Sequence, residues 1–180
     1  MKIGIVLKET TSRSGSKKSD LHQLLIYEKF ASEIIVHFSK HKDIEVILIK
    51  KSLIDSIITT VDKDHFDILI ALGCINDEQY IIYGGVQVKY NHHSVARRGA
   101  EIFQNLLVNS TKLKDLGIIQ KGQGKGRDSE GLVMEKLAIP CIIANPFPSE
   151  TGEELQQLMH NYKNIFNSYV LAITNTIALL

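Results

Sequence analysis

Asp67-Ile-Leu-Ile-Ala-Leu72, closed by Gly73, is apolar at every position after its first, with no polar alternation. Such a run suits a strand buried on both faces, as in a parallel sheet covered by helices on either side. Upstream, Lys2 to Leu7 is a β-branched run followed by a polar loop, Glu9 to Ser19. Asp20 then caps a helix whose apolar residues Leu21, Leu24, Leu25, Phe30, Ile34, Ile35 and Phe38 keep helical spacing up to His41. Lys40, His41 and Lys42 suit its C-terminus electrostatically. Ile44 to Ile49 reads as a second strand, and Ser52 as the cap of a helix carrying Leu53, Ile54, Ile57, Ile58 and Val61.

Downstream, Gly84 to Tyr90 alternates strictly, which predicts an edge strand with one wet face. Ser94 opens a helix with Val95, Ala96, Ile102, Phe103, Leu106 and Leu107 on one side. A glycine-rich basic loop, Lys121 to Arg127, precedes a short helix over Ser129 to Leu137 and a buried strand over Pro140 to Ala144. Asn145-Pro-Phe-Pro148 is a rigid turn, and from about Glu153 one long helix places Leu155, Leu158, Met159, Tyr162, Ile165, Phe166, Tyr169, Val170 and Ile173 three and four apart. The order predicts an α/β fold in a single domain over 1–180, with a mostly parallel sheet of about five or six strands and helices on both faces.

Composition narrows the function classes. The 180 residues are 44% hydrophobic and 23% charged, which is ordinary globular usage. With 21 Lys and Arg against 20 Asp and Glu, no overall basic field points to long nucleic acid. The start MKIGIVLKE lacks the apolar core of a signal peptide, and Tyr169 to Leu180 is too short for a membrane span. Cys74 and Cys141 form no disulfide framework and no CxxC knuckle, so a reducing cytoplasmic setting is expected. A nucleophilic role for Cys74 would need His92 or His93 beside it; inert packing is the simpler account.

Charge is concentrated locally. Lys121-Gly-Gln-Gly-Lys-Gly-Arg-Asp-Ser129 sets Lys121, Lys125 and Arg127 among three glycines ahead of a helix, a composition that suits a phosphate or another small anion. It is not a Walker A loop, and a solvated surface loop explains it equally well. Asn91-His92-His93-Ser94 with Arg97 and Arg98 forms a second cluster at a strand end, where parallel sheets keep their ligand crevice. Adjacent histidines in extended chain point apart and chelate poorly, so a capped helix start accounts for them too. Arg97 and Arg98 lie on the first turns of their helix, where the dipole disfavours cations and an anionic partner would offset it. Arg13, in the loop after the first strand, is expected at the same end of the sheet.

The second half resembles the zinc-dependent N-acetylmuramoyl-L-alanine amidases, bacterial and phage enzymes that cleave peptidoglycan stems. Asp67 to Leu72 resembles the strand before a metal-binding His, Gly85-Val-Gln-Val-Lys-Tyr-Asn91 the following GxEVYY strand, and Ile139-Pro-Cys-Ile-Ile-Ala-Asn-Pro-Phe147 the MPAVLVExxF strand that carries the catalytic Glu. The resemblance implies an amidase-like fold with the zinc site replaced. The loop Lys8 to Gly15 has no His, the helical Glu ligand falls near Leu24, the strand-end His on Gly73 or Cys74, and the catalytic Glu on Asn145. A site rebuilt from His22, Glu28 and Cys74 is the remaining metal option, although their spacing does not select it.

Catalytic zinc needs three converging ligands and a base for its water, and an asparagine takes no proton at neutral pH. The expectation is therefore a non-catalytic protein with no cofactor. It would bind or sequester a small anionic ligand of nucleotide or ADP-ribose type through Arg13, His92, His93, Arg97, Arg98, Lys121, Lys125, Arg127 and Asn145, with Tyr83, Tyr90 or Phe147 stacking on a base. A phage protein that sequesters a host defence signal fits this profile. The alternatives are a peptidoglycan hydrolase and an assembly protein that forms homo-oligomers through its C-terminal helix.

Overall fold

Lys2–Lys8 forms β1, and hydrogen bonds on both its edges join β2 (Glu45–Lys51) and β3 (Ile68–Leu72), both parallel to it. The computed structural model describes residues 1–8, 17–51, 59–61, 63–72, 85–121, 129–148 and 152–180. Between β1 and β2 runs α1 (Lys17–Phe38). After β3 come β4 (Val86–Tyr90), α2 (Ser94–Thr111), β5 (Asp115–Gln120), α3 (Ser129–Lys136), β6 (Cys141–Ala144), α4 (Gly152–His160) and α5 (Tyr162–Ile177). The six strands form one sheet in the order β2-β1-β3-β6-β4-β5. All neighbours are parallel except β4 and β6, which run antiparallel.

Both faces are covered, as the unbroken apolar run of β3 requires. On one face Ile3, Ile5, Ile68, Ile70, Val88 and Ile142 pack beneath α1, α2 and α5. On the other, Val6, Leu69, Cys141 and Ile143 pack against Val61, Phe66, Met134 and Leu137. The larger core centres on Phe30 of α1, which makes edge contacts with Phe147, Tyr162, Phe166 and Tyr169 at ring centroids 5.2–5.7 Å apart. Close approach of α2 to α5 depends on Gly99, where an added Cβ would come within 2.6 Å of both Ile142 and Thr176.

Three expectations are corrected. β4 is not an edge strand: it lies between β6 and β5, and Val86, Val88, Lys89 and Tyr90 are all buried. The edges are β2 and β5, and the β5 stretch DLGIIQ has no clean period and carries a glycine at φ +77. The C-terminal helix is two helices, with the junction at Asn161, whose side chain donates to Ser110 O at 2.9 Å and accepts from Asn164 at 2.9 Å. The first helix starts at Lys17, ahead of Asp20, and ends at Phe38, short of His41. The helix expected from Ser52 lies for the most part outside the described residues; residues 59–61 are helical and Val61 is buried.

Candidate functional site

The reversal of β4 sorts the polar residues to opposite ends of the sheet. The C-terminal ends of β1, β3 and β6 share one end with the start of β4; the end of β4 and the end of β5 lie at the other, beside the start of β6. Asn145, one residue past β6, therefore lies at the first end. His92, His93, Arg97, Arg98 and Lys121 lie at the second, where the Lys121 N–H donates to Tyr90 O at 2.8 Å. The expectation of a single crevice shared by the His-Arg cluster and the loop after β1 is corrected by this polarity. Arg13, Lys125, Arg127, Tyr83 and Cys74 fall outside the described residues, as does the side chain of His22.

Asn145 occupies the position where the resemblance places a catalytic glutamate. It is only 5% exposed, and its Oδ1 accepts from the Tyr27 hydroxyl at 2.5 Å and from the Phe147 N–H at 2.9 Å. The side chain thus closes the turn after β6 and ties it to α1, the satisfied state expected of a buried amide. Tyr90 and Phe147, expected to stack on a base, belong to the core instead: Phe147 is 1% exposed, lies parallel to Tyr162 and meets Tyr27 and Phe30 edge-on.

Among the described residues the zinc of the resembled enzymes finds no matching donor set. Leu24 is apolar, and Glu28, one turn further along α1, is ion-paired to Lys50 of β2 at 2.8 Å. Among the described residues no three His, Cys, Asp or Glu side chains are grouped to hold a metal ion. With an apolar residue and an ion-paired carboxylate on α1 and an amide after β6, these described positions do not fit a catalytic zinc ion.

The start of α2 is the other polar concentration. His93 is its N-cap but makes no side-chain capping bond, and no acidic residue stands in the first turn. The orphan N–H groups and the positive end of the dipole are therefore met by no carboxylate of the first turn. Arg97 reaches Glu101 at 3.4 Å, with both side chains well exposed, and such a pair contributes little stability. The rings of His92 and His93 do not diverge: their centroids are 4.4 Å apart and tilted by 32°. Nε2 of His93 is buried with no hydrogen-bond partner among the described residues.

Burial, then the neighbouring His92, holds the His93 pKa below the ordinary 6.5, against an opposing hydrogen bond that the ring makes to the Leu137 backbone. Because the folded value lies below the unfolded one, the unfolded chain takes up this proton first as pH falls through 6.5. Stability carried by neutral His93 is complete above that pH and declines below it. Wild type should therefore lose more melting temperature than His93→Gln between about pH 7 and about pH 5. Parallel curves would remove His93 from the acid response.

One buried polar residue, Gln104, escaped the sequence reading, and Asn91, read there as part of the His-Arg cluster, has a structural role. Gln104 of α2 accepts from Val88 N at 2.9 Å and donates to Val86 O at 2.8 Å and Asp115 Oδ1 at 2.5 Å, filling the register shift between Val86 and Val88. Asn91 receives Cys141 N at 3.1 Å and donates to Ile139 O at 2.8 Å, locking the β4 end against the start of β6. An amide set between the buried Phe103 and Leu107 of α2 was the available signal for Gln104.

No protein family and no curated protein matches the sequence. Solved structures do match in fold. The catalytic domain of CwlV, an N-acetylmuramoyl-L-alanine amidase from Bacillus (Paenibacillus) polymyxa var. colistinus, superposes with a TM-score of 0.72 at 13% identity, over 100% of both chains. An N-acetylmuramoyl-L-alanine amidase from Clostridium difficile 630 gives 0.72 at 14% identity, over 98% of this chain and 96% of that one. The amidase AmiC2 of Nostoc punctiforme gives 0.69 at 9% identity, over 98% and 97%. At such identities the likeness is one of fold, and the chain carries the fold of the N-acetylmuramoyl-L-alanine amidases.

Proposed function

We propose that this chain is a non-catalytic protein on an amidase-like scaffold that binds, and thereby sequesters, a small anionic ligand of the nucleotide or ADP-ribose class. The observation that carries the reading is Asn145. At the strand end where the resemblance calls for a carboxylate base there is an amide, and its only acceptor oxygen already receives two hydrogen bonds. The start of α2 supports the anionic ligand: an uncapped, acid-free first turn carrying Arg97 and Arg98, with His92 and Lys121 at the same end of the sheet. This relocates ligand binding from the crevice beside Asn145 to the opposite end.

In a melting screen, nucleotides or ADP-ribose should raise the melting temperature of wild type, since a ligand held only by the folded state stabilises it. Arg97→Ala should abolish that rise. No rise in wild type, or the same rise in Arg97→Ala, removes the anion site from α2. A second reading, a peptidoglycan amidase with a rebuilt metal site, draws on the amidase fold of the matching structures. It predicts hydrolysis of muropeptides by the purified protein.

A further inference from the structure

The geometry points to a two-histidine site for a divalent transition metal at the C-terminus of α1, formed by His37 and His41. Unlike the anion reading, it uses neither α2 nor Asn145. His37 lies in the last turn of α1 and His41 just past its end, in a turn where the His41 N–H donates to Phe38 O at 2.9 Å. Their ring centroids are 6.0 Å apart at an interplanar angle of 34°. A nitrogen-to-metal bond of about 2.1 Å places each ring centroid roughly 3.3 Å from a shared ion, so two rings on one ion lie roughly 5 to 6.5 Å apart. The observed spacing falls within that range.

Both rings also lie against aromatic neighbours. His37 meets Phe38 edge-on at 5.1 Å and Phe166 at 6.4 Å, and His41 lies 5.9 Å from Phe38. His37 lines a groove of about 350 Å³ together with Ser32, Glu33, Val36, Lys40 and Phe166, so an ion can reach it from solvent. The partial negative charge of a helix C-terminus favours a cation, and Glu33 adds a carboxylate one turn earlier; Lys40 opposes both. Among the described residues no third His, Cys, Asp or Glu completes the set, so water fills the remaining positions. An open site with imidazole donors suits Cu²⁺, Ni²⁺ and Zn²⁺ and follows the Irving–Williams order, with Cu²⁺ tightest.

Titration calorimetry of the full chain with Ni²⁺ tests this. Wild type should bind one ion saturably, and His37→Gln or His41→Gln should each weaken it by at least the roughly tenfold that loss of a mere outer-shell partner costs. His92→Gln, at the other histidine pair, should bind as wild type does. As a readout separate from affinity, sub-stoichiometric Cu²⁺ should broaden the ring proton signals of His37 and His41 before those of the other histidines. Unchanged Ni²⁺ affinity in both variants, absence of saturable binding in wild type, or first broadening at His92 and His93 would overturn the site.

Discussion

Phe30→Ala is expected to lower the unfolding free energy by about 3 to 5 kcal/mol, the usual cost of emptying a buried phenylalanine site. Phe30 is 0% exposed and is the one ring that touches Phe147 after β6, Tyr162 and Phe166 on α5, and Tyr169 beneath them. Its edge-on contacts carry stabilisation beyond area burial, since positive ring edges meet negative faces. Neighbouring rings cannot collapse into the space. Tyr169 is tied to Ala144 O at 2.9 Å and Tyr162 to Glu33 at 2.8 Å. Burial pushes both hydroxyls above the ordinary tyrosine pKa, with the Glu33 carboxylate adding to the effect at Tyr162, so both remain donors at neutral pH. Thermal melting checks the prediction: at about 2 to 4 °C per kcal/mol the midpoint should drop by roughly 10 °C, and Phe30→Leu should drop less. A loss under about 1 kcal/mol would show that the cluster is not the keystone of this face.

Gln104→Leu is the second large effect, at about 2 to 3 kcal/mol. The substitution keeps the volume and removes every polar atom, leaving Val88 N and Val86 O buried without their partner at the irregular part of β4. Unmet backbone groups in a dry site carry the full desolvation penalty. Asp115 would keep its bond to Gly117 N at 2.8 Å, so the edge turn should survive while the β4 ladder weakens. Hydrogen exchange at the Val88 amide separates this account from simple loss of packing. Faster exchange there than across β1 is expected, and uniform acceleration would contradict the local role.

Apolar runs were legible because burial on two faces leaves a continuous signature, as in β3 and β6. β4 misled because its alternation is real: Gln87 is half-exposed between buried valines. What the pattern could not convey is that Lys89 is enclosed, which reverses the reading from edge to interior. β5 was missed since an edge strand with Gly117 at positive φ and a leading Asp115 satisfies neither period. Asn145 was found by its place in the chain, but its role was not, because its partners Tyr27 and Phe147 come together only through the packing of α1 on the turn. Strand polarity was the decisive unread quantity. Nothing in residues 84–90 distinguishes a parallel from an antiparallel strand, and that choice moves His92, His93 and Arg97 to the far end of the sheet.

The central claim is that this amidase-like scaffold binds without cutting. It is tested most directly by incubating the purified wild-type chain with muropeptides and supplied Zn²⁺ and measuring stem-peptide release. The account predicts release no faster than in a protein-free control, with or without the metal. Zinc-dependent release above that control would contradict it.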